Sequence, residues 1–175
     1  GGNYTNQTGG EVNIAATSVL QALNNESPRV FGGVLSGAGT FRKSGTGLLD
    51  LWGASTIDNV LVDNGILRMG SFGQATGLGA LSTSGFGTLS DTAILTVNGG
   101  TFDLNGSTET IGRIAGSGGT IALLNGALTT SAQTTLSTGT AFSGNWNSVV
   151  NLGATAPATL TLTGNSSGFG GTINV

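Results

Sequence analysis

Residues 100–126 read GTFDLNGSTETIGRIAGSGGTIALLNG, and this stretch decides the fold. It begins with Gly100-Thr-Phe-Asp-Leu-Asn-Gly106 and ends with the similar phrase Gly119-Thr-Ile-Ala-Leu-Leu-Asn-Gly126. Each phrase alternates apolar and polar residues between glycines, and the closing glycines lie 20 residues apart. A strand-length phrase that returns after about 20 residues is typical of one turn of a β-solenoid.

Runs of the same character recur along nearly the whole chain, and we expect each of them to form a β-strand. They are short, rich in β-branched or large apolar residues, and bounded by Gly, Asn or Ser. In Gly47-Leu-Leu-Asp-Leu-Trp-Gly53 the alternation directs Leu49 and Leu51 to one face of a sheet and Asp50 to the other. The predicted strands are Glu11–Ile14, Val30–Leu35, Thr40–Lys43, Leu48–Trp52, Asn59–Val62, Ile66–Met69, Ile94–Val97, Thr101–Leu104, Thr110–Ile114, Thr120–Leu124, Ala127–Thr130, Gln133–Ser137, Val149–Leu152, Thr159–Thr163 and Gly171–Val175.

Four Asn-Gly dipeptides, at residues 64–65, 98–99, 105–106 and 125–126, leave two topologies open. Asn-Gly favours tight turns with positive φ, either in antiparallel hairpins or at the corners of a coil that rises in one direction. An antiparallel sandwich, with a strand every 8–12 residues or so, is the alternative. The spacing of about 20 residues favours the coil, so we predict a right-handed parallel β-helix.

The composition narrows the classes of function. The chain has 33 Gly in 175 residues, but 37% of its residues are hydrophobic, which is enough to build a core. It has no Cys and no His, so the usual nucleophile, general base and zinc ligands are missing, and we predict no catalytic site, metal or cofactor. Only five residues are basic and the net charge is −3, which argues against a nucleic-acid partner.

The organisation is that of one repeating unit. No linker, charge block or compositional break divides the sequence, and we predict a single solenoid domain over residues 1–175. The segment Ala15–Asn25 carries the best helix-forming residues of the chain, so a short helix, an end cap, a strand and a loop all stay open there.

The side chains that a site would need are scattered. Asp50 and Asp103 occupy equivalent places in their phrases, but 53 residues separate them, so we expect isolated, solvated carboxylates rather than an acid–base pair. Gly99-Gly-Thr-Phe-Asp103 does not fit a calcium-binding β-roll repeat. Trp52 and Trp146 offer surfaces for stacking on sugars, although a tryptophan beside a turn is expected to close the edge of a core. The eight acids are Glu11, Glu26, Asp50, Asp58, Asp63, Asp91, Asp103 and Glu109.

The series Thr159-x-Thr161-x-Thr163 is similar to the outward threonine ladders of ice-binding solenoids. Threonine is also a favoured outward residue of ordinary strands, and the other predicted strands do not keep a strict Thr-x-Thr on one face. We therefore expect ordinary strand threonines here.

Residues 35–70 read LSGAGTFRKSGTGLLDLWGASTIDNVLVDNGILRMG and resemble the autotransporter-associated β-strand repeat, also called the passenger-associated transport repeat. The family's Asn-Thr-Tyr-Thr-Gly-Gly segment is replaced here by Ser55–Asn59, which suggests a modified corner. Leu95–Leu128 looks like the spacer turns between such repeats, and Thr159–Val175 is similar to a second copy. The matching residues are Lys43, Gly45, Gly47, Leu49, Leu51, Gly53, Val62, Gly65 and Leu67.

The resemblance implies a secreted protein displayed at a bacterial surface as a stalk or adhesin, and it supplies no catalytic residues. Gly9-Gly-Glu-Val-Asn-Ile14 and Gly170-Gly-Thr-Ile-Asn-Val175 are near equivalents, 161 residues apart, and Gly2-Asn-Tyr-Thr5 extends the first of them. We therefore expect continuation at both ends, through covalent neighbouring repeats or copies stacked end to end. A carbohydrate-binding adhesin and a polysaccharide-degrading β-helix enzyme are the alternatives.

Overall fold

A computed structural model describes residues 10–25, 28–70, 87–132, 135–153 and 159–175. These residues form 18 strands and no helix. The strands are β1 (Glu11–Asn13), β2 (Val19–Ala22), β3 (Arg29–Phe31), β4 (Val34–Lys43), β5 (Leu48–Leu51), β6 (Thr56–Val62), β7 (Ile66–Met69), β8 (Ile94–Val97), β9 (Thr101–Asp103), β10 (Thr108–Ile111), β11 (Arg113–Ala115), β12 (Thr120–Ala122), β13 (Ala127–Thr130), β14 (Thr135–Thr138), β15 (Ala141–Ser143), β16 (Val149–Leu152), β17 (Thr159–Leu162) and β18 (Thr172–Asn174).

The pairing of these strands confirms a parallel β-solenoid. Paired strands lie about 21 residues apart along the chain, and they complete about six turns. For example, β9 pairs with β12 in parallel and aligns Phe102 with Ile121. An antiparallel sandwich is therefore wrong for the described residues, because the chain returns to each neighbouring strand only after a full turn.

Each turn has three sides, which we number in chain order. The first side carries β1, the first half of β4, the start of β6, and then β10, β13, β16 and β18. The second side carries β2, the second half of β4, the rest of β6, β8 and β11, and the β14–β17 pair lies next to β11. The third side carries the six strands β3, β5, β7, β9, β12 and β15.

The core is a stack of apolar columns inside the coil. Alternate residues of each strand face inward, and parallel pairing places each inward residue above its equivalent in the preceding turn. On the third side this column contains Leu49, Leu67, Phe102, Ile121 and Phe142, all of them buried. Burial of such columns is the main stabilising term of a solenoid, because it removes apolar surface from water. Each turn contacts only its neighbours, so the stability is built up turn by turn.

The Asn-Gly dipeptides are corners of the coil rather than hairpin turns. Asn105 and Gly106 have φ values of 51° and 83°, and Gly65 has a φ of 65°. A Cβ added at Gly65 would also meet the carbonyl oxygens of Gly45 and Gly47 in the preceding turn. The corner at Gly65 requires glycine both for the left-handed backbone and for the close approach of successive turns.

Of the alternatives left open within Ala15–Asn25, the structure has a strand, β2, because pairing with β4 completes the second side of the first turn. Two predicted strands differ from the observed ones. The predicted strand Val30–Leu35 is divided between β3 and β4, and Thr110–Ile114 between β10 and β11. The corner glycines Gly33 and Gly112 separate these strands.

One turn is longer than the others. Between β7 and β9 the register aligns Leu67 with Phe102, an offset of 35 residues, whereas β9 and β12 are offset by 19. Residues 71–86, which belong to this turn, lie outside the described residues, as do residues 1–9 and the start of the predicted strand Gln133–Ser137. The solenoid therefore accepts additional residues between Gly70 and Gly87 without losing the register of its sides.

Candidate functional site

The fold brings Asp50 and Asp103 into one column on the outer face of the third side. They lie two turns apart with Arg68 between them, because β5 pairs with β7 and β7 with β9 in register. Arg68 forms a bidentate ion pair with Asp50: its Nε lies 2.6 Å from Oδ1 and its Nη2 lies 2.9 Å from Oδ2. The prediction of isolated, solvated carboxylates is wrong for Asp50, which is 6% exposed.

Asp103 has a different environment from Asp50. Its Oδ1 accepts a hydrogen bond of 2.8 Å from the backbone NH of Asn105 and so holds the corner that follows β9. Burial raises the pKa of Asp103, while this hydrogen bond and the charge of Arg68 lower it and the charge of Asp50 raises it. The column is thus two carboxylates on either side of one guanidinium, and the bidentate pair of Arg68 with Asp50 ties the turns of β5 and β7 together.

We expect Arg68→Met to lower the free energy of unfolding by about 2 kcal/mol, because it leaves the buried Asp50 carboxylate without its cation. The matched control is Arg42→Met, since Arg42 pairs with Asp63 through a similar 2.6 Å contact but on a more exposed face. That change should cost less than about 1 kcal/mol. Urea denaturation of both variants measures the difference. Equal losses of unfolding free energy would contradict the structural role given to the pair of Arg68 and Asp50.

Glu109 is a buried carboxyl that sequence reasoning did not single out. It faces inward from β10, next to Leu128 in the paired strand β13, and is 3% exposed. Its Oε1 accepts a 2.9 Å hydrogen bond from the backbone NH of Leu89, and its Oε2 has no partner. Burial raises the pKa of Glu109 to about 7; the hydrogen bond from Leu89 lowers it and the charge of Asp91 raises it.

The hydrogen bond of Glu109 completes the backbone bonding of the first side. Ser55 provides a parallel case, because its Oγ accepts the backbone NH of Leu35 at 3.2 Å. In both places an inward polar side chain satisfies a strand NH where the regular pairing is interrupted. The signal was present in the sequence, since Glu109 has the same parity as the inward Ile111 in its strand.

The two adjacent cations of the sequence, Arg42 and Lys43, point to opposite faces. Lys43 is fully buried and faces inward, and its Nζ donates to the carbonyl oxygens of Gly45 and Asn64 at the corner. Burial lowers the pKa of Lys43. Lys43 therefore binds corner carbonyls of successive turns, which gives a structural reason for a buried lysine at this corner.

The two tryptophans have different environments. Trp52 is half-buried, and a Cβ at Gly70 would meet its indole ring. Trp146 is 79% exposed, so the expectation that it closes the edge of the core is wrong. Within the described ranges no group of three or more His, Cys, Asp or Glu is placed to hold a metal ion.

Amide and hydroxyl groups form a ladder along the outer face of the first side. Asn174 donates from Nδ2 to Oδ1 of Asn151 at 2.7 Å, and Asn151 donates to Oγ1 of Thr129 at 3.2 Å. At the opposite end of the same side, Asn13 donates to Oγ of Ser36 at 3.1 Å. Side-chain ladders of this kind hold successive turns in register.

The first described turn leaves its inward apolar residues open. Val12 and Leu20 are each 37% exposed, although their column neighbours Leu35 and Phe41 are buried. A cavity of about 500 Å³ opens beside Leu20, Leu35 and Phe41 and is also lined by Phe31. This end of the described solenoid therefore presents unburied core surface and the unpaired edge of β1.

Comparison with protein-family models, with curated proteins and with solved structures gives no match. None of the described residues forms a helix with the length and apolar character that a membrane crossing requires.

Proposed function

We propose that this protein is a structural, extracellular β-solenoid that serves as a stalk or filament segment at a bacterial surface. The observation that carries the proposal is the open first turn, where Val12 and Leu20 expose surface that their column neighbours Leu35 and Phe41 bury. An adjoining turn of the same kind satisfies both the apolar surface and the backbone edge. The proposed role is mechanical, because stacked turns give the protein its length and stiffness.

The two ends of the described solenoid match in phase, which supports stacking of copies end to end. Both β1 and β18 lie on the first side, and their sequences Glu-Val-Asn and Thr-Ile-Asn are near equivalents. If β18 of one copy pairs with β1 of the next, Ile173 aligns with Val12 inside the coil. Asn174 then aligns with Asn13 outside it. The amide ladder of the first side would continue across the join.

The extracellular surface location follows from the resemblance to the autotransporter repeat and is part of the proposal. It agrees with a surface in which hydroxyls and amides replace most charges: only 13 residues are charged, and the net charge is −3. The same scarcity of basic residues disfavours a nucleic-acid partner. We propose no cofactor.

The two alternative functions differ in their support. A polysaccharide-degrading enzyme needs two accessible carboxylates that flank a bond. Arg68 occupies both oxygens of Asp50, and Glu109 is sealed within the core, so we propose that the protein is not an enzyme. A carbohydrate-binding adhesin gains support from the exposed Trp146.

Electron microscopy of the purified protein tests the structural role. We expect filaments of constant width, and we expect Val12→Lys to abolish them by placing a charge in the apolar join. The matched control is Thr161→Lys, since Thr161 is exposed on β17, away from the first side. Monodisperse short rods from the unchanged protein, or filaments that survive Val12→Lys, would contradict end-to-end stacking.

A further inference from the structure

The corner between the third and first sides stacks three short turns along the solenoid axis. We call this the 104–148 corner, and it consists of residues 104–107, 123–126 and 144–148. Backbone bonds join its levels: Gly106 donates to the carbonyl of Leu123 at 3.2 Å, and Leu123 donates to the carbonyl of Ser143 at 2.9 Å. The backbones of these levels therefore have fixed positions relative to one another.

Leu124 has an unusual backbone conformation for its residue type. It adopts a φ of 47°, in the left-handed region, where the turn below has Asn105 at 51°. Asparagine tolerates this conformation, whereas for other side-chain-bearing residues it costs about 1–2 kcal/mol. Leu124 is also 53% exposed, so burial in the core does not fully offset that cost. A strained residue that keeps so much apolar surface in water points to a role other than stability.

Trp146 is a second anomaly, one turn further along the same corner. It is the most exposed large hydrophobic side chain of the described residues, at 79%. Asn145 and Asn147 flank it, and Oδ1 of Asn145 accepts the backbone NH of Asn147 at 3.2 Å. This hydrogen bond shapes the loop beneath the indole. The loop therefore presents one aromatic face between two side-chain amides.

The chemistry of the 104–148 corner fits a neutral ligand. None of its residues carries a charge. Its two exposed apolar side chains, with the amides beside them, offer far less than the surface of about 800 Å² per partner that a stable protein–protein interface buries. An aromatic platform with a few amide donors and acceptors suits a compact ligand with an apolar face and many hydroxyls. A sugar ring has that chemistry.

We propose that the 104–148 corner binds a neutral glycan. The apolar face of one sugar ring stacks on Trp146, and the amides of Asn145 and Asn147 bond its hydroxyls. Leu124 lies one turn below, at the rise of about 4.8 Å between parallel strands, and extends the apolar platform along the solenoid axis. The glycan chain therefore runs parallel to the axis. This site is independent of end-to-end stacking, because it lies on the flank of the coil.

A panel of neutral hexasaccharides (maltohexaose, cellohexaose, laminarihexaose and chitohexaose), with hexagalacturonate as the acidic comparison, tests the site by titration of the intact protein. We expect at least one neutral glycan to bind and hexagalacturonate to bind more weakly. Trp146→Ala should weaken that binding at least tenfold, while Trp146→Phe keeps most of it. Leu124→Gly should weaken it several-fold without lowering the melting temperature, because glycine relieves the positive φ.

The control is Leu23→Ala, which removes an exposed apolar side chain, 64% accessible, elsewhere on the surface. It should leave glycan binding unchanged. Melting temperatures of all variants show that the fold is intact. The proposal is overturned if no neutral hexasaccharide binds, if Trp146→Ala binds as well as the unchanged protein, or if hexagalacturonate binds best.

Discussion

Replacing Phe102 with alanine is expected to lower the free energy of unfolding by about 4 kcal/mol. Phe102 is fully buried on the third side, between Leu67 in the turn below and Ile121 in the turn above. Its loss leaves a cavity in the middle of the column, which the paired backbones on either side prevent from collapsing. Urea denaturation followed by circular dichroism at the β-sheet minimum measures the change.

The matched control is Phe31→Ala in the first described turn. Phe31 is only partly buried, because it lines the open cavity at that end of the solenoid. We expect it to cost less than half as much as Phe102→Ala. Equal losses at the two positions would contradict the continuous inward column that the parallel register creates.

The second large effect is a dependence of stability on pH that comes from Glu109. Its pKa in the folded protein is about 7, above the ordinary value of 4.5, so the folded state favours the protonated carboxyl. The resulting stabilisation is fully present below about pH 4.5 and is lost as the pH rises through 7. A shift of this size corresponds to about 3 kcal/mol.

Glu109→Gln should remove this dependence, since the amide oxygen can still accept the NH of Leu89 but carries no charge. We expect the variant to match the unchanged protein near pH 5 and to be more stable by up to about 3 kcal/mol at pH 8. The matched control is Asp58→Asn, because Asp58 is exposed on β6. Thermal melts from pH 5 to 8 give the result, and parallel pH profiles for Glu109→Gln and the unchanged protein would contradict it.

The periodic features of the fold could be predicted from the sequence, because apolar residues mark the inward positions of strands and Asn-Gly marks the corners. Leu49 and Leu51 alternate with Asp50, and β5 places the two leucines inward. Asn-Gly favours positive φ, and Asn105 and Gly106 have it. The return after about 20 residues predicted the parallel pairing, and the structure confirms it.

The candidate sites could not be predicted as well, because they depend on how turns align rather than on local pattern. Arg68 falls between Asp50 and Asp103 because of the lengths of the intervening corners. Those lengths vary from turn to turn, and no pattern in the sequence predicts them. The exposure of Trp146 likewise depends on the corner that carries it. Glu109 lies outside the predicted strand Thr110–Ile114, so its inward position was missed, although it has the same parity as the inward Ile111.

Disulfide cross-linking of Asn13→Cys and Asn174→Cys tests end-to-end stacking most directly, because the chain has no cysteine of its own. If β18 of one copy pairs with β1 of the next, these residues face each other across strands about 4.8 Å apart, within disulfide reach. The double variant should then give a ladder of covalent oligomers on oxidation. A mixture of the two single variants should give only dimers.

The control pairs Asn13→Cys with Thr161→Cys, which places the second thiol on β17, away from the first side. Stacked copies in register predict no cross-link for that pair and an efficient one for residues 13 and 174. Monomers alone from the residue 13 and 174 pair, or equal cross-linking by the control pair, would contradict the claim that this solenoid continues end to end.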